Sequence, residues 1–347
     1  MTLRNVSAVL GAALIWSTSF AVTKVTLARV PPMTIGAMRF GIAALILAAL
    51  VHVRRGRSRS ERVRSLPTVR QRLSIGLAGL LGISAYFAVE NLGVQKATAS
   101  DATLIVASYP IITLAVELVL RRTGLSLVRL AGMVIALGGV WLIVRDGAGA
   151  DAESRLWGDA LLILGGLVWA GFNLLGRRDT SGASPIVVTY YQTLAGALGL
   201  TALSLTETDR WAWPSNADLG RILFLAALCS VAAFGLYNYG LRGLTPSAAV
   251  NLLNIVPVAG LVWAATLAGE SIGARLVVGG AVVIAGVVIG QYGGSAATVH
   301  RARTGAGTGT GSGSGTGTET GTEPADNQAP HSMVATESPM PQRTASS

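Results

Sequence analysis

The 347-residue chain is short of charge: Asp, Glu, Lys and Arg together make up 13% of it, against the roughly one quarter usual in soluble domains. It holds one cysteine, Cys229, which excludes a disulfide framework and any cysteine-rich metal site. Its three histidines, His52, His300 and His331, all lie in connectors or the tail, so a buried histidine metal site is excluded too. No HExxH, GxSxG or Walker-type phosphate loop occurs, so neither a cofactor nor a catalytic site is expected, and the reading is not an enzyme. Acidic residues are outnumbered, leaving a formal net charge of +10. Eight arginines of that excess crowd between His52 and Arg72, on a connector between apolar runs. Such a cluster is a membrane-topology signal before it is a nucleic-acid patch.

What the chain has instead is apolar length. It is 51% hydrophobic with a mean hydropathy of +0.55. Apolar runs of about twenty residues suit a hydrocarbon core of about 30 Å at a 1.5 Å helical rise. Ten spans are expected, at 5–27, 33–53, 73–93, 98–120, 125–144, 157–176, 184–205, 219–241, 246–268 and 273–292. The first is read as an uncleaved span rather than a signal peptide, because nine more follow it. From 294 to 347 the composition turns to Gly, Thr, Ser, Glu and Pro, which predicts a disordered cytoplasmic tail. With the N-terminus inside, inner segments carry 17 positive charges and outer connectors 7, so both termini are expected in the cytoplasm.

The chain repeats itself. A shift of 147 residues places Asn91 on Asn238, Gly93 on Gly240, Thr98 on Thr245, Pro110 on Pro257, Gly132 on Gly279 and Gly139 on Gly286. Upstream of the arginine-rich connector the shift is 153, which places Trp16 on Trp169 and Pro32 on Pro185. Five spans per copy is an odd number, so the copies cross in opposite senses. The expected fold class is therefore an all-α integral membrane protein, ten transmembrane helices in two inverted five-helix repeats, 5–145 and 157–292. Many secondary transporters are built so, with the solute at the repeat interface.

The residues also carry a resemblance. The first half reads WSTSFAVTK from Trp16 to Lys24, Pro31-Pro32, AMRF from Ala37 to Phe40, and NLGVQKATAS from Asn91 to Ser100. The second reads NYGLRGLTPS from Asn238 to Ser247, then Pro257 and LAGE from Leu267 to Glu270. This resembles the ten-span, EamA-like branch of the drug/metabolite transporter superfamily over residues 5–292. The resemblance implies a secondary transporter in the plasma membrane, an exporter of an amino acid, another metabolite or a drug-like solute. The family's "GE" pair is present as Gly269-Glu270 but is Arg122-Thr123 in the first half. A channel or scaffold, or an enzyme embedded in the membrane, is the alternative; two fused inverted halves suit alternating access better than an oligomeric pore.

Ionisable groups inside spans are costly and need a reason. Lys24 and Glu117 have bland ones: snorkelling at the outer interface is favoured for Lys24, and a helix-end pair with Arg121 at i+4 for Glu117. Arg39 either pairs with a glutamate or meets an acidic group of the solute, because a guanidinium always stays charged. Glu90 shares a face with Tyr86 at i−4, and it is either a proton carrier or the partner of Arg39; protons are the candidate coupling ion. Trp16, Trp169, Asn173, Asn251 and Asn254 are expected to line a cavity, aromatic with a few converging polar groups. Pro110 and Pro257, matched at mid-span, each remove one backbone hydrogen bond and suit a bending motion. Expected partners are a small-molecule solute and the bilayer, with no nucleic acid; a homodimer is left open.

Overall fold

A computed structural model describes residues 3–57, 67–121, 126–145, 152–175, 184–244, 249 and 252–306. The helices are α1 (Leu3–Ser17), α2 (Ser19–Leu27), α3 (Pro32–Arg57), α4 (Val69–Gly79), α5 (Tyr86–Lys96), α6 (Ala99–Ala107), α7 (Tyr109–Arg121), α8 (Leu127–Arg145) and α9 (Ala152–Leu175). They continue with α10 (Pro185–Ser204), α11 (Asn216–Phe224), α12 (Ala233–Gly240), α13 (Ile255–Leu267) and α14 (Ala274–Ala306). A π-helical segment, Leu80–Ala85, joins α4 to α5, and another, Leu225–Ala232, joins α11 to α12.

Among the described residues, seven continuous helical runs are long and apolar enough to cross a membrane: Leu3–Leu27, Pro32–Val53, Val69–Lys96, Leu127–Arg145, Ala152–Asn173, Pro185–Arg210 and Asn216–Gly240. The pair Ala99–Ala107 and Tyr109–Leu120, bent by 42°, makes an eighth. Ile255–Leu267 and Ala274–Gly290 are shorter apolar helices. The side chains sort as a bilayer demands. Leu45, Leu77, Val119, Val134, Leu198 and Val262 face outward, while small residues such as Ala12, Ala13, Ala43 and Gly139 fill the helix contacts. Lipid tails are as apolar as leucine, so close packing of small residues rather than apolar burial holds such helices together.

Helices related by the internal repeat make equivalent contacts. α1 packs on α12 and α13; its counterpart α9 packs on α5 and α7. α3 packs on the second π segment, its counterpart α10 on the first, and α3 and α10 pack on each other. α8 and α14 cross backbone to backbone: a Cβ on Gly132 would lie 2.4 Å from Gly290 N, and one on Gly286 2.3 Å from Ala136 N. The π segments obey the same 147-residue shift, which carries Ala85 onto Ala232.

Both matched prolines follow a break rather than a smooth kink. α6 ends at Ala107 and α7 restarts at Tyr109, one residue before Pro110; α13 starts at Ile255, two before Pro257. At the C-terminal end, α14 stays helical to Ala306, past residue 294 where composition predicts disorder. Alanines 296 and 297 and Arg301 and Arg303 are good helix formers that the Gly-Thr pattern overshadows. The rest of the tail, 307–347, lies outside the described residues.

Candidate functional site

The helix pairs that the repeat relates converge on one aromatic and charged cluster. Tyr86 is the first residue of α5 after its π segment, and it is buried. Its ring lies 5.2 Å from Trp169 on α9, 4.8 Å from Phe87 and 6.2 Å from Tyr109 on α7. Glu90 and Tyr109 both act electrostatically on its hydroxyl. Tyr109 in turn donates to the Leu162 carbonyl at 2.8 Å. Aromatic pairs at such centroid separations are favourable beyond their burial.

Arg39 projects from α3 into the same region and is buried. Its Nε donates to Ser230 Oγ at 2.9 Å, and its guanidinium lies 5.1 Å from the Phe40 ring and 4.8 Å from that of Phe87. Glu90 is the carboxyl that acts on it electrostatically, and no salt bridge joins the two among the described residues. A guanidinium and a carboxyl group thus stand apart in one buried region, with an aromatic wall between α3, α5 and α9. Cation–π contacts partly offset the desolvation of the guanidinium.

Trp16 occupies the equivalent place on the other side of the repeat. Its ring packs 5.0 Å from Phe234 and 5.6 Å from Tyr237 on α12, and its Nε1 donates to the Cys229 carbonyl at 2.9 Å. Cys229 precedes Ser230 in the second π segment, so Trp16 and Arg39 grip neighbouring residues of one irregular stretch. π segments recur at functional sites because they re-aim side chains and leave carbonyls less tightly held.

The remaining expected residues are placed differently. Asn173 donates its side-chain amide to the Trp169 carbonyl one turn back at 3.0 Å, so that N–H is used within α9. Asn254 ends the turn before α13 and makes no capping bond. Asn251 lies outside the described residues. Lys24 finds protein partners at a helix end. Its ammonium donates to the carbonyls of Val94 at 2.9 Å, Gln95 at 3.0 Å and also Ala97, closing the C-terminal end of α5. Those carbonyls carry the negative end of the helix dipole and lack partners of their own, which makes them a better site for a cation than open water. Among the described residues, no group of three or more metal-ligating side chains occurs.

A model of the EamA-like transporter family matches residues 3–145 and 156–290. The chain belongs to the EamA-like transporter family. Relatives of this transporter include the uncharacterized transporter YyaM of Bacillus subtilis, 26% identical over 80% of this chain and 90% of the relative. The uncharacterized inner membrane transporter YedA of Escherichia coli is 24% identical over 75% of this chain and 81% of its own. A probable terminal-alkyne amino-acid exporter of Streptantibioticus cattleyicolor is 25% identical over 75% and 87%. A solved crystal structure shares the fold with a TM-score of 0.56 at 19% identity, covering 88% of this chain and 99% of that one.

This EamA-like transporter also holds charged residues that spacing alone does not single out. Glu270 reaches the start of α6 and accepts from Ala99 N at 2.6 Å, Ser100 N at 2.9 Å and Ser100 Oγ at 2.5 Å. Glu207 does the same for α3, accepting from Met33 N at 3.1 Å and from Thr34 N and Oγ1, each at 3.0 Å. Each glutamate belongs to the second half and caps a helix of the first. Asp101, wholly buried, is gripped by Arg155 of α9 through Nε at 2.6 Å and a second nitrogen at 2.7 Å. The positive φ of 70° at Gly269 turns the chain after α13, so the "GE" pair is a turn and a cap.

Proposed function

We propose that the protein is a secondary exporter of ten spans, two inverted five-span halves, moving a small zwitterionic metabolite such as an amino acid by alternating access. The two shorter apolar helices, α13 and α14, bring the eight longer candidates to ten, and their counterparts α7 and α8 belong to full-length spans. The observation that carries the reading is the exchanged packing: each half's first helix, bearing Trp16 or Trp169, rests on the third helical run of the other half. A solute bound between these faces touches both halves, and rocking one against the other exposes it to either side.

The separated charges favour a zwitterion. Arg39 offers a carboxylate paired donors, Glu90 offers an ammonium an acceptor, and Tyr86, Phe87 and Trp169 supply apolar wall. The amino-acid exporter among the relatives is in keeping with this. In the same reading both termini are cytoplasmic, in the plasma membrane, as the distribution of arginines supports. Reconstituted protein should exchange radiolabelled amino acids across proteoliposomes, with saturation and counterflow. Flux linear in concentration and without counterflow would indicate a channel and refute the proposal.

A further inference from the structure

One buried carboxylate has no role in the cluster described above. Asp159 lies on α9 one turn after Arg155, is 1% exposed, and neither of its oxygens has a hydrogen-bond partner. The charged groups that bear on it are Asp101 on α6 and Arg155 on its own helix. α5 meets this stretch of α9 through Gly93 and Ala97, and α7 through Tyr109, whose hydroxyl is committed to the Leu162 carbonyl. Beyond Asp101 lie Lys24 and Glu270, the latter capping the same α6 terminus. Arg155 therefore stands between two carboxylates, and it makes two short contacts to Asp101.

A charged carboxylate left unpartnered inside a protein is far costlier than a neutral one, which has only a hydroxyl and a carbonyl to satisfy. Arg155 and Asp159 are at i and i+4, within reach of each other on one helix face. We infer that Asp159 is a proton-binding site: it is neutral while Arg155 holds Asp101, and it gives up its proton when Arg155 turns to it. Asp101 sits in the first turn of α6, where its side chain also forms a reciprocal cap with Thr98. Releasing Arg155 would thus remove one link between a helix of the first half and a helix of the second, while the Glu270 cap remains. The proton, exchanged with water at this end of the bundle, is thereby linked to the contact between halves. The link to solute movement rests on the transport reading above; the proton site itself does not.

The test uses the full chain in lipid, with infrared difference spectroscopy during a pH titration and no solute. The parent should show a neutral-carboxyl stretch that is lost in Asp159→Asn and retained in Glu90→Gln. The stretch should also weaken in Asp101→Asn, because the Asp101 charge and its hold on Arg155 are then both removed. A stretch unchanged in Asp159→Asn, or indifferent to Asp101→Asn, would overturn the proposal. A second arm reads coupling: a mixture of common amino acids is added to vesicles loaded with the pH dye pyranine. The parent should move protons with the amino acids, while Asp159→Asn should exchange labelled amino acids without moving protons. Proton movement undiminished in Asp159→Asn would likewise overturn it. If the parent itself carries no amino acid, the solute reading has failed, and the infrared arm alone decides the proton site.

Discussion

Removing the Glu270 carboxylate should loosen the link between the turn after α13 and the start of α6 by an amount the contacts allow to be bounded. Glu270 accepts three hydrogen bonds, two from backbone N–H groups at the start of α6 and one from Ser100 Oγ. Bonds to a charged partner contribute roughly 1.5–3 kcal/mol each, and three that share one carboxylate do not add fully. Ala99 and Ser100 are buried, but Glu270 is half-exposed, so water can follow a truncated side chain and satisfy one donor. Glu270→Ala should therefore cost about 2–4 kcal/mol, and Glu270→Gln about half that, because an amide keeps one acceptor. Gly269→Ala, which retains the carboxylate but strains the φ of 70°, should cost about 1–2 kcal/mol. Reversible unfolding in mixed detergent and denaturing micelles gives the three values. Were Glu270→Ala to unfold within about 0.5 kcal/mol of the parent, the span of an ordinary surface substitution, the cap would be no part of what holds the halves together.

Arg39→Gln should weaken binding of carboxylate-bearing solutes about ten- to a hundredfold at unchanged membrane abundance, the worth of one charge-assisted contact; equilibrium binding to purified protein checks it. Gly132→Val should abolish folded protein, since its Cβ would lie 2.4 Å from Gly290 N, whereas Gly138→Val, with nothing within 4 Å, should behave as the parent in size-exclusion chromatography. Reporter fusions after Arg55, Arg121 and Arg178 should read cytoplasmic and those after Ala150 and Asp209 exterior; the opposite result at Arg55 would invert the topology.

Much of the fold is legible in the sequence because hydropathy and repetition are both written at the scale of whole helices. Run length alone marks the membrane-crossing helices, and the run expected at 5–27 returns as Leu3–Leu27. The two residue shifts already say which helices are counterparts, so the exchanged contacts of α1 with α12 and α9 with α5 follow once the halves face each other. The π segments are not legible. One extra backbone residue per turn changes neither composition nor the apolar run, and LLGISA reads as ordinary helix.

The site divides along a different line. Tyr86, Glu90, Arg39 and the two matched tryptophans were visible because a polar or aromatic residue at mid-span stands out against an apolar background. Lys24, Asp101, Asp159, Glu207 and Glu270 sit near helix ends, where charge is ordinary and water is the default partner. Sequence position cannot separate an end that faces solvent from one that faces another helix terminus. The discriminating feature is the second helix: unpaired N–H groups at the starts of α3 and α6, and unpaired carbonyls at the end of α5, call for charges of opposite sign. Of these charges, Glu207, Glu270 and the Asp101–Arg155 pair join one half to the other, while Lys24 closes a helix of its own half. A change in the charge of Asp159 reaches the contact between the halves through Arg155, one turn before it, which grips Asp101.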